Sequence, residues 1–221
     1  MERRRLQPGR NIEHLMDSAS DPVAYMLSLP MAGKPGKKFE YNGGATQLLA
    51  AIIQKATGQP IDEFARQYLF SPLGMIHFKW ETTTGSNMPD AFSGLHMTSR
   101  DLLRFGLLYM HDGNWKGRQI ISKEWIQQST TPFIIVDDGS DIQYGKSFYG
   151  FQWWQLPDTI SNKPILISAC IGNGGQRIFI DKENQLVVVF TGGNYRRPDL
   201  YLNPYKLLNE FIYPAILTSK K

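Results

Sequence analysis

Apolar residues in the first two thirds of the chain recur at the spacing of helices. Over residues 45–57 they fall three or four positions apart, and Gly58 follows as a helix stop. The same spacing predicts a short helical piece near residues 21–29 and a helix over residues 61–69. The rest of residues 1–38 is rich in Pro, Gly and Lys and is predicted to be irregular.

Two further helices are predicted by hydroxyl residues suited to capping. Thr98 and Asp101 form a capping-box pattern that opens a helix ending near Gly113. Ser122 is expected to cap a helix that runs to about residue 129. Loops are predicted over residues 76–97 and 131–147.

The last third of the chain changes to short apolar runs of strand length. Three consecutive valines from Val187 are typical of a strand covered on both faces. A closing helix is predicted over residues 205–217, with Pro214 disturbing its last turn. Strands are predicted over residues 149–156, 165–171, 176–181 and 185–191, with Lys182-Glu183-Asn184 as the turn between the last two.

These elements together predict an α+β fold, in which helices cover an antiparallel sheet. No linker composition or internal repeat divides the chain, so we expect a single domain over residues 1–221. Within it, residues 22–147 form the mainly helical part, and residues 148–217 form the sheet with its closing helix.

Composition restricts the classes of function. The chain has 221 residues, of which 42% are hydrophobic, which is enough for a substantial core. Part of the net charge of +4 comes from basic residues at the two ends, and no basic stripe interleaved with aromatics is visible. We therefore expect no nucleic-acid binding. The chain also contains no apolar stretch of membrane-spanning length.

Metal and cofactor chemistry has little support in the sequence. The four histidines lack a ligand spacing such as His-Glu-x-x-His. The single cysteine, Cys170, lies in an apolar run, which favours a buried thiol. We expect no metal, no cofactor and no intrachain disulfide.

Several short motifs, taken in order, resemble the serine β-lactamase-like hydrolases. That family groups class C β-lactamases, D-alanyl-D-alanine carboxypeptidases, certain esterases and the 6-aminohexanoate dimer hydrolase. The resemblance covers about residues 22–215 and implies a β-lactamase/transpeptidase-like fold. The motifs are Pro35-Gly36-x-x-Phe39-x-Tyr41, Ala56-Thr57-Gly58, Phe70-x-Pro72-Leu73-Gly74-Met75, Thr98-Ser99-Arg100-Asp101-Leu102-Leu103-Arg104-Phe105-Gly106 and Gly172-Asn173-Gly174-Gly175-Gln176.

The nucleophile motif of that family, Ser-x-x-Lys, is not found in this chain. No serine has a lysine three residues later. Because this motif precedes the tyrosine motif in the family, we expect it upstream of Met1, with the chain as an N-terminally truncated, incomplete domain. No signal peptide is visible, and the compartment stays open. A periplasmic or other extracytoplasmic location is compatible with the resemblance.

Tyr41-Asn42-Gly43 matches the family's Tyr-x-Asn motif in its tyrosine. The resemblance implies that the phenol of Tyr41 moves the nucleophile's proton. The reference pKa of tyrosine is about 10, so a phenol serves as a base at neutral pH only beside a cation or in a proton-sharing network. The alternative is a packing tyrosine ahead of a turn. Gly43 stands where class C β-lactamases carry Asn, which argues against β-lactam hydrolysis.

Asn173-Gly174-Gly175 is the best match to the family's Lys-Thr-Gly motif, with Gly172-Asn173-Gly174 as the alternative register. A strand edge without bulky side chains would let a substrate lie against backbone groups. The resemblance implies that the N–H of Gln176 forms half of an oxyanion hole. Asn-Gly between two apolar runs is also a hairpin signal. Because Asn173 is neutral, we expect a small-molecule ester or amide substrate without an obligatory carboxylate.

An aromatic cluster, Tyr149, Phe151, Trp153 and Trp154, occupies both faces of one predicted strand. One face is expected in the core, and the other is a candidate pocket wall with Tyr149 and Trp153 as its members. The expected function is that of the C-terminal portion of a serine hydrolase acting through an acyl-enzyme. The alternative is a non-catalytic β-lactamase-like domain that binds a ligand or a partner.

Overall fold

The structure is a computed structural model that describes residues 12–31, 33–136 and 145–218. Its contacts group the chain into two compact units. The first unit comprises the described residues up to Pro35 together with Tyr41–Met97. The second comprises Gly36–Glu40 and the described residues from Thr98 onward. The expectation of a single domain stays a prediction.

The first unit is mainly helical. The predicted helical piece near residues 21–29 is confirmed, with Asp21 as its N-cap. Its helices are α1 (Ile12–Asp17), α2 (Pro22–Ser28), α3 (Gly43–Thr57), α4 (Ile61–Ala65) and α5 (Ser71–Leu73), and a π-helical turn, Arg66–Phe70, joins the last two. Two short strands, β1 (Phe78–Trp80) and β2 (Leu95–Met97), pair antiparallel within the predicted loop, which is therefore wrong at those residues.

Helix α3 begins two residues earlier than its apolar spacing predicted. The side chain of Asn42 accepts a hydrogen bond from the N–H of Gly44 at 2.9 Å, and this cap draws both glycines into the first turn. Gly58 ends the helix in the left-handed conformation, as predicted. Helix α1 was missed because Met16 is its only buried residue, so its sequence carries no apolar periodicity.

The helix predicted over residues 61–69 continues further than expected. It passes through the π-helical turn and α5 to Leu73, and Gly74 then stops it with φ of 70°. Pro72 is the second residue of α5, directly after the π-helical turn, and its missing N–H leaves one helical hydrogen bond unmade near the end of the run. The Ser-Pro pair is therefore part of the helical run rather than its end.

Capped helices and a short hairpin open the second unit. Helix α6 (Ser99–Met110) starts where Thr98 Oγ1 accepts the N–H of Asp101 at 3.2 Å, as predicted. The short hairpin of β3 (Asn114–Trp115) and β4 (Arg118–Gln119) follows. Helix α7 (Lys123–Ser129) starts where Ser122 Oγ accepts the N–H of Trp125 at 3.1 Å, which also confirms the prediction.

An antiparallel meander follows in the second unit, with its strands in chain order. They are β5 (Ile134–Ile135), β6 (Phe148–Tyr149), β7 (Trp154–Ile160), β8 (Lys163–Gly172), β9 (Gln176–Asp181) and β10 (Leu186–Phe190). The α+β fold class is confirmed. The predicted loop over residues 131–147 is wrong at β5, and residues 137–144 of it lie outside the described residues.

The single strand predicted over residues 149–156 is instead a tight hairpin. Gly150 N–H donates to the Trp153 carbonyl at 2.8 Å, and Gln152 between them has φ of 65°. The chain therefore reverses between β6 and β7. The sequence does not reveal this reversal, because residues 149–156 form an apolar, aromatic-rich run of the length and composition of a single strand.

Buried side chains cover both faces of the meander. Ile167 and Phe179 belong to one cluster, and Ile178 and Ile180 to another. Because successive side chains of a strand point to opposite faces, these two clusters lie on opposite faces of the sheet. The valines of β10 follow the same rule, which confirms that this strand is covered on both faces.

The closing helix begins two residues earlier than predicted. Its parts are α8 (Asn203–Leu207), a π-helical turn (Leu208–Ile212) and α9 (Tyr213–Thr218). The irregular turn lies directly before Pro214, whose missing N–H cannot bond to the preceding turn. The buried hydroxyl of Tyr213 donates to Asp181 Oδ2 at 2.9 Å, which ties this helix to the end of β9.

Candidate active site

Tyr41 lies in the first unit, two residues before the first residue of α3. Its side chain is 53% exposed. The side-chain oxygen of the neighbouring Asn42 accepts the hydrogen bond that caps α3, so the start of this helix fixes the backbone beside Tyr41. An exposed phenol on a fixed backbone is compatible with a group that meets a substrate. The catalytic role of Tyr41 stays a prediction.

Gly43 has no space for a side chain. Its N–H donates to Glu13 Oε1 at 3.1 Å. A Cβ atom at this position would lie 2.5 Å from Glu13 Oε1 and 3.1 Å from Phe92 Cδ2. The departure from the Asn of class C β-lactamases is therefore accompanied by a packing in which a carboxylate and a phenyl ring fill the space beside residue 43.

A buried glutamine holds a loop against α3. Gln47 Nε2 donates to the Pro89 carbonyl, and its Oε1 accepts the Ala91 N–H, each at 2.9 Å. Asp90 between them accepts from both the hydroxyl and the N–H of Ser93. Sequence reasoning missed Gln47 because a polar residue within an apolar helix pattern reads as solvent-facing. Its partners are backbone groups some forty residues away, which leave no local signal.

Asn173-Gly174-Gly175 lies in the second unit, in the turn between β8 and β9. The ladder ends at the Gly172–Gln176 pair, so these residues lie between the two strands, as the predicted strand bounds 165–171 and 176–181 imply. Gly174 and Gly175 have φ of 75° and 96°, which only glycine adopts readily and which turns the chain. The hairpin interpretation is confirmed for the backbone. Asn173 braces the turn by accepting the Gly174 N–H at 2.8 Å.

The side chain of Gln176 is engaged with the backbone after β10. Its Nε2 donates to the Gly192 carbonyl at 2.5 Å, and its Oε1 accepts the Gly192 N–H at 3.2 Å. These two bonds use the amide group, so the proposed oxyanion role falls to the main-chain N–H of Gln176, as the sequence analysis expected. That role stays a prediction.

Arg177 is the buried cation of this turn, with 1% of its surface exposed. Its guanidinium donates to the carbonyls of Gly172, Gln176 and Tyr201 at 2.5–3.0 Å. It also lies 4.4 Å from the ring centroid of Tyr201. The sequence analysis missed this residue, since an arginine on a strand ordinarily faces water.

The two candidate pocket-wall residues have different surroundings. Trp153 is buried against the ring of Tyr109, with centroids 4.4 Å apart, and so belongs to the core. Tyr149 is half-buried and packs against Phe39 at 5.0 Å. A pocket-wall role for these two side chains stays a prediction, and core packing already accounts for Trp153.

Cys170 lies on β8, two residues before Gly172. Burial raises the pKa of its thiol to about 12. A thiol with this pKa holds its proton at neutral pH and is a poor nucleophile. Cys170 is half-buried against the cluster that contains Ile178 and Ile180, so the residue is less buried than predicted.

Two further findings concern only the described ranges 12–31, 33–136 and 145–218. No cluster of three or more His, Cys, Asp or Glu side chains is arranged to hold a metal ion there. None of the helices in those ranges has the length and apolarity needed to cross a bilayer.

Comparison with known proteins gives consistent matches. A family model described as Beta-lactamase matches residues 4–208. The 6-aminohexanoate-dimer hydrolase of Paenarthrobacter ureafaciens is 25% identical over 173 residues, covering 77% of this chain and 43% of that relative. A Bacillus anthracis structure, provisionally assigned as a 6-aminohexanoate-dimer hydrolase, has a TM-score of 0.74 at 25% identity and covers 89% of this chain and 49% of that one. A β-lactamase structure from Mycobacterium bovis has a TM-score of 0.66 at 18% identity, covering 95% and 75%, which shows the shared fold.

These matches define a β-lactamase-like class of fold. The chain belongs to the β-lactamase family. The family resemblance and the β-lactamase/transpeptidase-like fold inferred from the motifs are thereby confirmed. The chain spans less than half the length of the Paenarthrobacter and Bacillus relatives.

Proposed function

We propose that the full-length protein carrying this chain is a serine hydrolase that cleaves a small-molecule ester or amide through an acyl-enzyme. Family membership over residues 4–208 supports the reaction class. The observation that carries the proposal is Tyr41, an exposed phenol in the family's tyrosine motif at the fixed start of α3.

Each residue has a separate role in this proposal. Tyr41 moves the proton of the nucleophile and then delivers a proton to the leaving group. The main-chain N–H of Gln176 donates to the carbonyl oxygen of the substrate as negative charge develops on it. The nucleophile is assigned to a serine outside residues 1–221, since no serine here begins a Ser-x-x-Lys motif.

The turn between β8 and β9 supports a substrate that needs no carboxylate. Asn173 is neutral and uses its amide oxygen within the turn. Arg177, the next basic residue along the chain, is buried and donates from its guanidinium to main-chain carbonyls. No charge-assisted bond from these two side chains is therefore available to a substrate carboxylate.

Tyr41→Phe in the full-length protein tests the proposal. The change removes the hydroxyl and keeps the ring, so kcat on p-nitrophenyl acetate should fall by about 10²–10⁴-fold, the scale for a positioned acid–base group. The melting temperature should stay unchanged, because no cavity is formed. Stopped assays of kcat and a thermal melt measure both.

Tyr68→Phe is the matched control. Tyr68 belongs to the same unit and has the same 53% exposure, but it lies in the π-helical turn outside the family motif. Its variant should keep wild-type kcat. If Tyr41→Phe also keeps wild-type kcat while folded, Tyr41 is a packing residue and the proposed proton transfer is wrong.

A further inference from the structure

The segment 191–195, which follows β10, lies directly on the turn formed by Asn173–Gly175. The Gln176 amide holds its second residue, Gly192, through two hydrogen bonds to the backbone. Asn194 N–H donates to the Gly174 carbonyl at 2.9 Å. A Cβ atom on Gly192 would lie 2.6 Å from that same carbonyl oxygen, so the two backbones approach as closely as glycine allows.

Tyr195 ends this segment with its ring against the turn. A Cβ atom at Gly174 would lie 2.7–2.9 Å from three atoms of the Tyr195 ring. Gln176 Nε2 is 3.4 Å from the Tyr195 hydroxyl. The ring nevertheless keeps 58% of its surface exposed. One side of the ring therefore meets the turn, and much of the remaining surface is open to a ligand.

This placement changes what the turn can accept. The sequence analysis expected a backbone edge free of bulky side chains beside Gly174. Instead, the space where a side chain of residue 174 would begin is occupied by an aromatic ring. Gln176 carries the proposed N–H donor, and its side-chain Nε2 lies 3.4 Å from the Tyr195 hydroxyl, so this ring stands beside the residue that would bind the substrate carbonyl.

We propose that Tyr195 limits the size of the acyl group that the protein accepts. The inference rests on the proposed function, because it places the substrate carbonyl at Gln176. The ring of Tyr195 forms an apolar boundary beside that position, which favours short or flat acyl groups and excludes bulky, branched ones. The Gln176–Gly192 bonds keep this boundary in place, so the limit is fixed before a substrate arrives.

Two esters with the same leaving group test this inference in the full-length protein. The ratio of kcat/KM for p-nitrophenyl cyclohexanecarboxylate over p-nitrophenyl acetate is measured for each variant. Tyr195→Ala removes the ring, and the ratio should rise by about tenfold or more, the scale of discrimination by small changes in an apolar pocket. Tyr195→Phe keeps the ring and should keep the wild-type ratio.

Tyr68→Ala is the control for loss of a half-exposed tyrosine ring, and its ratio should equal that of the wild type. If Tyr195→Ala lowers both kcat/KM values equally, Tyr195 only packs against the turn and the inference is overturned. If the wild type hydrolyses neither ester and takes no label from a serine-reactive phosphonate, the proposed function fails and the inference fails with it.

Discussion

At the residue scale, polar side chains near the Gly-rich turn act mainly on backbone carbonyls and N–H groups. Arg177 is the clearest case, because one buried guanidinium serves three carbonyls from two separate segments. A buried carbonyl without a donor costs about 1–3 kcal/mol. The shape of the turn, and with it the direction of the Gln176 N–H, therefore depends on this side chain.

Arg177→Met should destabilise the protein strongly. Methionine has a similar length but no donors, so three carbonyls lose a partner and the free energy of unfolding should fall by about 3 kcal/mol or more. Urea denaturation measures the change. Arg197→Met is the control, because Arg197 pairs with Asp199 on the surface, where ion pairs add little to stability. Equal free energies of unfolding for Arg177→Met and Arg197→Met would contradict the role given to Arg177.

Residues of this kind could not be found from sequence. The family resemblance pointed to Tyr41 and the Gly-rich run as candidates, because a motif is a local property of the chain. Gln47 and Arg177 act on backbone groups that other parts of the chain supply. Their side chains are polar at positions where burial depends on tertiary contacts, and hydrophobic periodicity carries no information about those contacts.

At the element scale, the close contact of α6 with the edge strand β10 depends on a glycine. A Cβ atom at Gly106 would lie 2.6 Å from Val187 Cγ1 and 3.1 Å from Ile178 Cγ2. Glycine lowers intrinsic helix stability by about 1 kcal/mol relative to alanine. Its presence inside α6 is therefore explained by packing against the sheet rather than by helix formation.

Gly106→Ala should destabilise the protein by about 1–3 kcal/mol despite its better helix propensity, because the added methyl overpacks this contact. Val187→Ala removes the side chain that it meets. The double variant should be more stable than the sum of the two single effects predicts, by about 1 kcal/mol. Urea denaturation of the wild type, the two single variants and the double variant measures this coupling. Strictly additive changes in the free energy of unfolding would contradict the close contact.

Elements with strong local signals were predicted well, and the weaker ones were not. The capped helices α6 and α7 and the strands β8 to β10 agree with their predicted positions within a few residues. The hairpin between β6 and β7 was missed, because its turn lies inside an apolar run and places a non-glycine residue, Gln152, at a φ of 65°. Helix α1 was missed because it buries only one side chain.

At the scale of the whole molecule, the order of weak motifs identified the family correctly. Each motif alone is short, but their sequence along the chain matches that of the β-lactamase family over residues 4–208. The α+β layout followed from the change in apolar periodicity after about residue 148. The grouping of the described residues into two units was not expected. Gly36–Glu40 groups with the residues from Thr98 onward rather than with its neighbours in sequence, and local patterns do not show such long-range contacts.

Three serines of this chain, Ser93, Ser99 and Ser122, use their hydroxyls in hydrogen bonds within the structure. Ser93 Oγ donates to Asp90, Ser99 Oγ shares a hydrogen bond with Thr191, and Ser122 Oγ caps α7. None of them is followed by lysine three residues later. An acyl-enzyme on one of these residues would break a bond that holds the structure.

Labelling of the full-length protein with a fluorophosphonate, followed by digestion and mass spectrometry, tests the central claim most directly. We predict one labelled serine, outside residues 1–221 and followed by lysine three residues later, with hydrolysis lost in proportion to labelling. A label on Ser93, Ser99 or Ser122, or a protein that hydrolyses esters while taking no label at any serine, would contradict the acyl-enzyme mechanism proposed for this protein.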